Sequence, residues 1–220
     1  MKLSKMIEQK QWHKVVKYTQ SHDDVLDSFQ ENGSFLHEVC KHQAPLDLIV
    51  EIVRKSPGMH TQVDSNCRSP LHLAAKYGAS PDVIEFLCST ERKMAGMQDS
   101  MGKTPLHWAC ESYSEHYSRK STMTLKSALL LTIKILVRSS PTTVNLEDSN
   151  GMCAAEYALD TNTELNIFRV IQKASVKEWK RISQVTENNK LQQYNDSLLA
   201  NMTNVKDLTK ARSSFAAISA

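Results

Sequence analysis

The sequence predicts an all-α solenoid in which short helix-turn-helix units stack side by side. The first observation is a Leu-His pair that recurs at Leu36, Leu71 and Leu106, in steps of 35 residues. A fixed period of roughly 20 to 50 residues is typical of proteins built from repeated units. The second observation is that apolar residues between the pairs, as in residues 48–53, recur at the spacing of one helix face. Together the two observations predict a pair of helices in each unit.

Each unit contains signals for the beginning of its first helix and the end of its second. Ser69 and Thr104 each precede a proline. A hydroxyl at this position accepts a backbone N–H that has no partner within the helix, and proline is tolerated in the first helical position. Small residues follow, and they let neighbouring helices approach closely. Pro57 and Pro141 mark the ends of second helices, because proline cannot continue a helix.

A short Asp-containing motif separates successive units, at residues 64–67, 99–102 and 148–151. Glycine ends the second and third motifs, where it supplies the positive φ of a tight turn. Cys67 stands in this position in the first motif, which predicts a looser or mildly strained turn with an exposed thiol. That thiol is either incidental or redox-sensitive, and the sequence leaves both alternatives open.

A fourth unit begins 49 residues after the third, so fourteen extra residues precede it. These extra residues fall within residues 111–127, between the two helices of the third unit. The second helix is then predicted to resume with Ile133, Ile135 and Leu136. A long insertion in a repeat usually forms a loop. A functional loop and a neutral insertion are both open.

These motifs resemble the ankyrin repeat, whose signature is D-x-x-G-x-T-P-L-H-x-A-A. The third unit matches the signature closely and the second matches it well. The first unit has Phe35 in place of proline, and the fourth has residues 153–156 in place of T-P-L-H. The resemblance covers residues 30–175. Units of about 35 residues with a long link after the second helix are similar to ankyrin proteins common in unicellular algae.

The resemblance implies an ankyrin repeat solenoid with a helical cap on its N-terminal side and a polar helical tail on its C-terminal side. Solenoids need caps because the apolar face of a terminal unit is otherwise exposed. The expected segments are an N-terminal cap at 1–29, repeats near 30–64, 65–99, 100–148 (insert at 111–127) and 149–175, and a polar helical or partly disordered tail at 176–220.

The tail carries two apolar patterns. Val176, Trp179 and Ile182 are expected to continue a helix that packs on the fourth unit. Further apolar residues sit at heptad positions, over a stretch shorter than the four heptads that indicate a coiled coil. They are Leu191, Tyr194, Leu198, Val205, Leu208 and Phe215. A marginal helix and a helix that binds a partner are both open.

Composition and charge exclude several classes of protein. The formal net charge of +3 is too small to indicate a nucleic-acid partner, and the scattered glycines predict no phosphate-binding loop. The longest apolar run, residues 128–137, is too short to span a bilayer, so no membrane partner is expected. Five cysteines without a CxxC pair indicate a reducing compartment, which we expect to be the cytoplasm, with the nucleus as an alternative.

The recurring histidines His37, His72 and His107 suggest metal ligands, but equivalent positions in stacked helices lie about 10 Å apart. Zinc needs ligands at about 2 Å from one centre. The resemblance implies instead that these histidines are structural and bond to backbone and to the Thr hydroxyl. The sequence contains no nucleophile elbow and no kinase motif. We therefore expect no metal, no cofactor and no catalytic residue, and we do not expect an enzyme.

The resemblance implies a non-catalytic protein-interaction module or scaffold. In the ankyrin family, partner proteins contact residues that flank the turn glycine and the two residues after A-A. Carried over, the expected partner-binding residues are Lys41, His42, Ser65, Asn66, Arg68, Lys76, Tyr77, Ser100, Met101, Lys103, Glu111, Ser112, Ser149, Asn150, Met152, Asp160 and Thr161. We expect a monomer. The alternative is a self-assembling structural adaptor that forms oligomers through its C-terminal helix.

Overall fold

A computed structural model describes residues 2–22, 33–112, 123–161 and 165–218 of the chain. Its description of side chains excludes residues 2, 123–125 and 194–218. The middle of the insert, at 113–122, therefore lies outside the described residues. So do the heptad side chains Tyr194, Leu198, Val205, Leu208 and Phe215.

The described residues form helices joined by turns, which confirms the all-α repeat solenoid. The helices are α1 (Lys2–Glu8), α2 (Trp12–Ser21), α3 (Phe35–Lys41), α4 (Leu46–Lys55), α5 (Pro70–Lys76), α6 (Pro81–Thr90), α7 (Pro105–Glu111), α8 (Met123–Ser139), α9 (Ala154–Asp160) and α10 (Leu165–Ile218). Short 3-10 helices follow three of the second helices, at Met59–Thr61, Arg92–Gly96 and Pro141–Asn145.

The helices of the repeats stack in two rows. Each first helix packs against the next, in the order α3, α5, α7 and α9, and the second helices α4, α6 and α8 pack in the same way. The Leu of each Leu-His pair is buried, at Leu36, Leu71 and Leu106. Ala74 and Ala109 are buried where neighbouring first helices meet, so their small side chains permit the close approach that the sequence predicts.

The helical cap predicted before the first unit is present as two helices, α1 and α2. Leu3, Ile7 and Val15 are buried, and Trp12 packs against the core. The Lys55 ammonium donates to the Thr19 carbonyl oxygen at 2.9 Å, which links α2 to the end of α4. These contacts cover the apolar side of the first unit, as a solenoid cap does.

The second helix of the third unit begins earlier than predicted. Helix α8 begins at Met123, so residues 123–127 of the expected insert are helical, and Glu111 is the last residue of α7. The predicted register is nevertheless confirmed, because Ile133 and Leu136 are buried. The helix therefore begins about one turn earlier in the sequence than its buried apolar residues indicate.

The chain forms two compact units, Met1–Ser175 and Val176–Ala220, and α10 contributes to both. In the first unit Ile167 and Ile171 of α10 are buried, and the Ser175 hydroxyl donates to the Asn145 side-chain oxygen at 2.6 Å. No helix in the described part of the chain has the length and apolar content that crossing a membrane requires.

The predicted helix continues through Val176, Trp179 and Ile182, but all three side chains are exposed, contrary to the packing expected of them. At about 100° per residue, Val176 and Trp179 lie on a different side of the helix from the buried Ile167 and Ile171. Ile182 returns to within about 20° of Ile171 around the helix, but it is 46% exposed, so the buried stripe does not continue there.

Candidate partner-binding face of the turn tips and first helices

Each turn between units is organised by one buried aspartate. One carboxylate oxygen of Asp64, Oδ1, accepts the backbone N–H of Asn66 and of Arg68, each at 2.9 Å. Asp99 and Asp148 accept the equivalent pairs of N–H groups in their own turns. All three aspartates are only 7% exposed. The side chain thus satisfies backbone donors that a tight turn leaves without partners.

The second oxygen of Asp64 is bound by a charged side chain. Arg68 donates from Nε at 2.8 Å and forms an ion pair through a terminal nitrogen at 2.7 Å. Burial alone would raise the pKa of Asp64, but the hydrogen bonds from Arg68 and Asn66 outweigh burial and lower the pKa below its ordinary value. Arg68 therefore holds the turn together, whether or not it also contacts a partner.

In the next two turns an aromatic donor replaces the arginine. The Trp108 indole N–H donates to Oδ2 of Asp99 at 2.8 Å, and the Tyr157 hydroxyl donates to Oδ2 of Asp148 at 2.6 Å. Each donor lies nine residues after its aspartate. Neither aromatic residue is among the site residues expected from the sequence, although the shared offset of nine residues is a signal that distinguishes them.

Lys103 is buried among these aromatic rings and belongs to the scaffold. Its ammonium lies 2.7 Å from Oε1 of Glu111, and 4.8 Å and 4.5 Å from the ring centroids of Trp108 and Tyr157. The residue is only 3% exposed. The Lys76 ammonium lies 4.0 Å from the Trp108 ring centroid. Cation–π contacts of this kind stabilise a packed face, so we do not assign Lys103 to the partner-binding surface expected for it.

Ser112 is also buried, and its hydroxyl donates to the Trp108 carbonyl oxygen at 2.7 Å. We likewise assign Ser112 to the scaffold. The other expected binding residues lie at the surface to different degrees. Half-buried are His42, Arg68, Lys76, Tyr77, Glu111, Met152 and Thr161, and exposed are Lys41, Ser65, Asn66, Ser100, Met101, Ser149, Asn150 and Asp160.

The tips of successive turns are joined to one another. The Ser100 N–H donates to the Asn66 carbonyl oxygen at 2.9 Å, and the Ser149 N–H donates to the Met101 carbonyl oxygen at 2.9 Å. These bonds run from one unit to the next and hold the three tips in register. The exposed tip side chains therefore stand on a fixed backbone.

The three recurring histidines cap the first helices from within. The His72 Nδ1 atom accepts the Ser69 backbone N–H at 3.0 Å, so the proton of the neutral ring is on Nε2. That Nε2 lies 3.2 Å from the Lys103 carbonyl oxygen in the next turn, to which it donates. His37 and His107 make the same two contacts. The structural role that the resemblance implies is confirmed.

Burial lowers the pKa of all three histidines, and it brings the pKa of His72 to about 4. The fourth unit uses a carboxylate instead of a histidine. Oε2 of Glu156 accepts the Cys153 backbone N–H at 2.6 Å. Within the described ranges, no three His, Cys, Asp or Glu side chains are grouped closely enough to hold a metal ion.

Cys67 adopts the conformation for which the other two turns use glycine. Its φ is 58°, whereas Gly102 and Gly151 each have a φ of 74°. The left-handed region costs a residue with a Cβ about 1 to 2 kcal/mol. The strain expected in this turn is therefore confirmed, and so is the exposure of the thiol.

The geometry defines a class of protein: a stack of helical pairs with rigid, hydrogen-bonded turns. Residues 36–119 match the family model described as ankyrin repeats, three copies. Over 79 residues the chain is 38% identical to neurogenic locus notch homolog protein 1 of Danio rerio. That match covers 36% of this chain and only 3% of the relative's length.

The chain contains ankyrin repeats over residues 36–119. Ankyrin repeats are generally protein–protein interaction modules, and the family is generally non-catalytic. The family match ends at residue 119, before the fourth unit. In that unit α9 nevertheless packs on α7, and Asp148 organises the turn that leads to it. The structure thus extends the repeat array beyond the matched residues.

We expect Cys67→Gly to raise the free energy of unfolding by about 0.5 to 1 kcal/mol, because glycine adopts a positive φ without strain. Urea denaturation followed by circular dichroism measures the change. Gly102→Ala is the opposite control: a Cβ there would lie 3.0 Å from the Ser149 backbone nitrogen, so a loss of more than about 1 kcal/mol is expected. A Cys67→Gly chain that unfolds at lower urea than the parent would contradict the strain.

We expect the repeat array to lose stability between about pH 7.5 and about pH 5. The unfolded chain binds protons at the ordinary histidine pKa of 6.5, whereas folded His72 binds them only near 4. Stability is therefore complete above pH 6.5 and falls as the pH drops toward 4, by about 2 kcal/mol at pH 5 from His72 alone. The pKa of Asp64 and of Asp148 is lowered, so their contribution changes only in more acidic solution.

Urea denaturation at the two pH values measures this loss of stability. His13→Gln, a change at an exposed position, should retain the full pH dependence. His72→Gln should reduce it. Equal free energies of unfolding at both pH values would show that the histidines are not held neutral by burial.

Proposed function

We propose that this chain is a non-catalytic module that binds a partner protein through its turn tips and the adjoining ends of its first helices. The observation that carries the proposal is the fixed row of exposed tips. Asn66 and Met101 provide the carbonyl oxygens that accept from the next tip, while their side chains remain exposed. A surface that is already ordered loses little conformational entropy on binding.

The chemistry of the tips suits protein recognition. Ser65, Asn66, Ser100 and Asn150 are short polar side chains, and they flank Met101, which is 43% exposed. Methionine is a flexible apolar side chain that adapts to different partner surfaces. A central apolar residue within a polar rim is the usual anatomy of a protein interface.

The buried polar groups support a structural role rather than catalysis. His37, His72 and His107 each have both ring nitrogens bonded to neighbouring repeats or caps. General acid–base work needs a titratable group within reach of a substrate proton, and these groups are committed elsewhere. The five free cysteines support a reducing compartment, for which we propose the cytoplasm.

We expect Met101→Glu to weaken capture of the partner at least about tenfold, because it places a charge at the centre of the tip surface. Leu131→Glu is the matched control, since Leu131 is 48% exposed on the second-helix row. Affinity purification with quantitative mass spectrometry identifies the partner, and isothermal titration calorimetry with that partner measures the affinity. Circular dichroism should show equal helicity in all three chains.

The opposite pattern would move the binding surface away from the tips. If Leu131→Glu abolished capture and Met101→Glu preserved it, the second-helix row would be the interface. If both variants bound the partner as well as the parent chain does, neither face would carry the interaction.

A further inference from the structure

Four bulky apolar side chains are exposed in one short segment of α10. Val176, Trp179, Ile182 and Val185 are 51%, 65%, 46% and 46% exposed. Scattered single apolar residues are normal on protein surfaces, but a contiguous exposed group marks an interaction site. The tryptophan is the largest of the four, and tryptophan is enriched among the residues that contribute most to binding.

The spacing of these residues determines which kind of surface could cover them. Each lies three residues after the previous one, so successive side chains shift by about 60° around the helix. From Val176 to Val185 the apolar path therefore winds through about 180°. A flat bilayer surface would cover only part of such a path, whereas a groove that wraps around the helix covers all of it.

The same spacing disfavours a second copy of the helix. A coiled-coil seam needs apolar residues about every 3.5 residues, so that they stay on one line. Residues 176–193 also carry four Lys or Arg side chains and two carboxylates. One of those carboxylates, that of Glu178, is already bound by Arg181 at 2.6 Å and 2.9 Å. Two such helices side by side would repel each other.

The basic residues lie opposite the apolar path. By helix geometry Lys177, Lys180 and Arg181 fall within an arc of about 100° that is centred about 180° from the middle of the apolar path. All three are exposed, and the guanidinium of Arg181 is already paired with Glu178, so Lys177 and Lys180 carry the basic character of this side. If a partner's groove encloses the apolar side of the helix, the edges of that groove lie near the basic side chains. Acidic residues at those edges would complement the basic side chains in charge.

We propose that residues 176–185 are a docking helix for an acidic protein whose apolar grooves enclose a helix, of the kind that calcium-loaded EF-hand proteins form. Such proteins open a methionine-rich groove on binding calcium, and they take up amphipathic helices through spaced apolar anchors. The proposal is independent of the tip surface, because it involves a different unit of the chain.

The test uses the full chain and calcium-loaded calmodulin as the probe. We expect low-micromolar binding by isothermal titration calorimetry, a blue shift of tryptophan emission, and loss of both on adding a calcium chelator. Trp179→Ala should weaken binding at least about tenfold. Leu191→Ala is the matched control, because Leu191 is also exposed on this helix but lies on the basic side; its affinity should stay within about twofold of the parent.

Three results would overturn the proposal. One is the absence of calmodulin binding at about fifty times the expected dissociation constant. Another is binding to phosphatidylserine vesicles that is lost in Trp179→Ala, without binding to calmodulin, which would assign the segment to a membrane surface. The third is a dimer by light scattering that Trp179→Ala converts to a monomer, which would assign it to a second copy. The Met101→Glu chain should bind calmodulin with the affinity of the parent chain. A failure of the proposed tip surface can therefore be distinguished from a failure of the proposed docking helix.

Discussion

The repeat array depends on a buried carboxylate in each turn between units. Moving a carboxylate out of water is costly unless hydrogen bonds replace its hydration. Asp64, Asp99 and Asp148 meet this requirement in the same way, since one oxygen accepts two backbone N–H groups of the turn. The pKa of Asp148 is lowered although burial opposes ionisation, because hydrogen bonds from Tyr157 and the turn outweigh it. Each turn is thus fixed by its own aspartate.

The turns then become acceptors for the preceding repeat. In the first turn the Asp64 N–H donates to the Arg68 carbonyl oxygen at 2.9 Å, and Nε2 of His37 reaches the same oxygen at 2.9 Å. The carboxylate positions Arg68, and the positioned carbonyl receives the histidine of the unit before it. Stability in repeat proteins arises within units and between nearest neighbours. Here one hydrogen-bond network serves both purposes, so weakening a turn also weakens the preceding helix cap.

The period of 35 residues, the helix caps and the turns were predictable because they depend on residues close in sequence. Ser69 and Pro70 mark the beginning of α5, and both the left-handed turn at Cys67 and the exposure of its thiol follow from an alignment with Gly102. The burial of Lys103 was not predictable from this local pattern, because Tyr157 covers it from the next unit. Contacts across repeats combine positions that no single motif contains.

The exposure of the apolar residues of α10 could not be predicted from their spacing in the sequence. Trp179 has the helical spacing of a packed residue, and its type suggests a core position, yet it is 65% exposed. A helical pattern states which residues share a face and leaves open what covers that face. The buried stripe of α10 ends with Ile171 as its last fully buried apolar residue. Val176 and Trp179 lie on other sides of the helix, whereas Ile182 and Val185 return to the side of Ile171 and are nevertheless exposed.

The second carboxylate oxygen of each turn aspartate is bound by one of two residues, which lie four and nine positions after the aspartate. In the first turn that ninth residue is Leu73, which has no hydrogen-bond donor, and Arg68 binds the second oxygen of Asp64. Where tryptophan or tyrosine stands at the ninth position, that aromatic residue binds the second oxygen and the residue at the fourth position does not.

In the second turn the residue at the fourth position is Lys103, which forms an ion pair with Glu111 and contacts the aromatic rings. In the third turn the residue at the fourth position is Met152, an uncharged residue, because Tyr157 already binds the second oxygen of Asp148. A basic residue at the fourth position is therefore a structural component of the turns that contain it. At Asn66 and Met101 the turns use only the backbone, so these side chains can vary without weakening the turn.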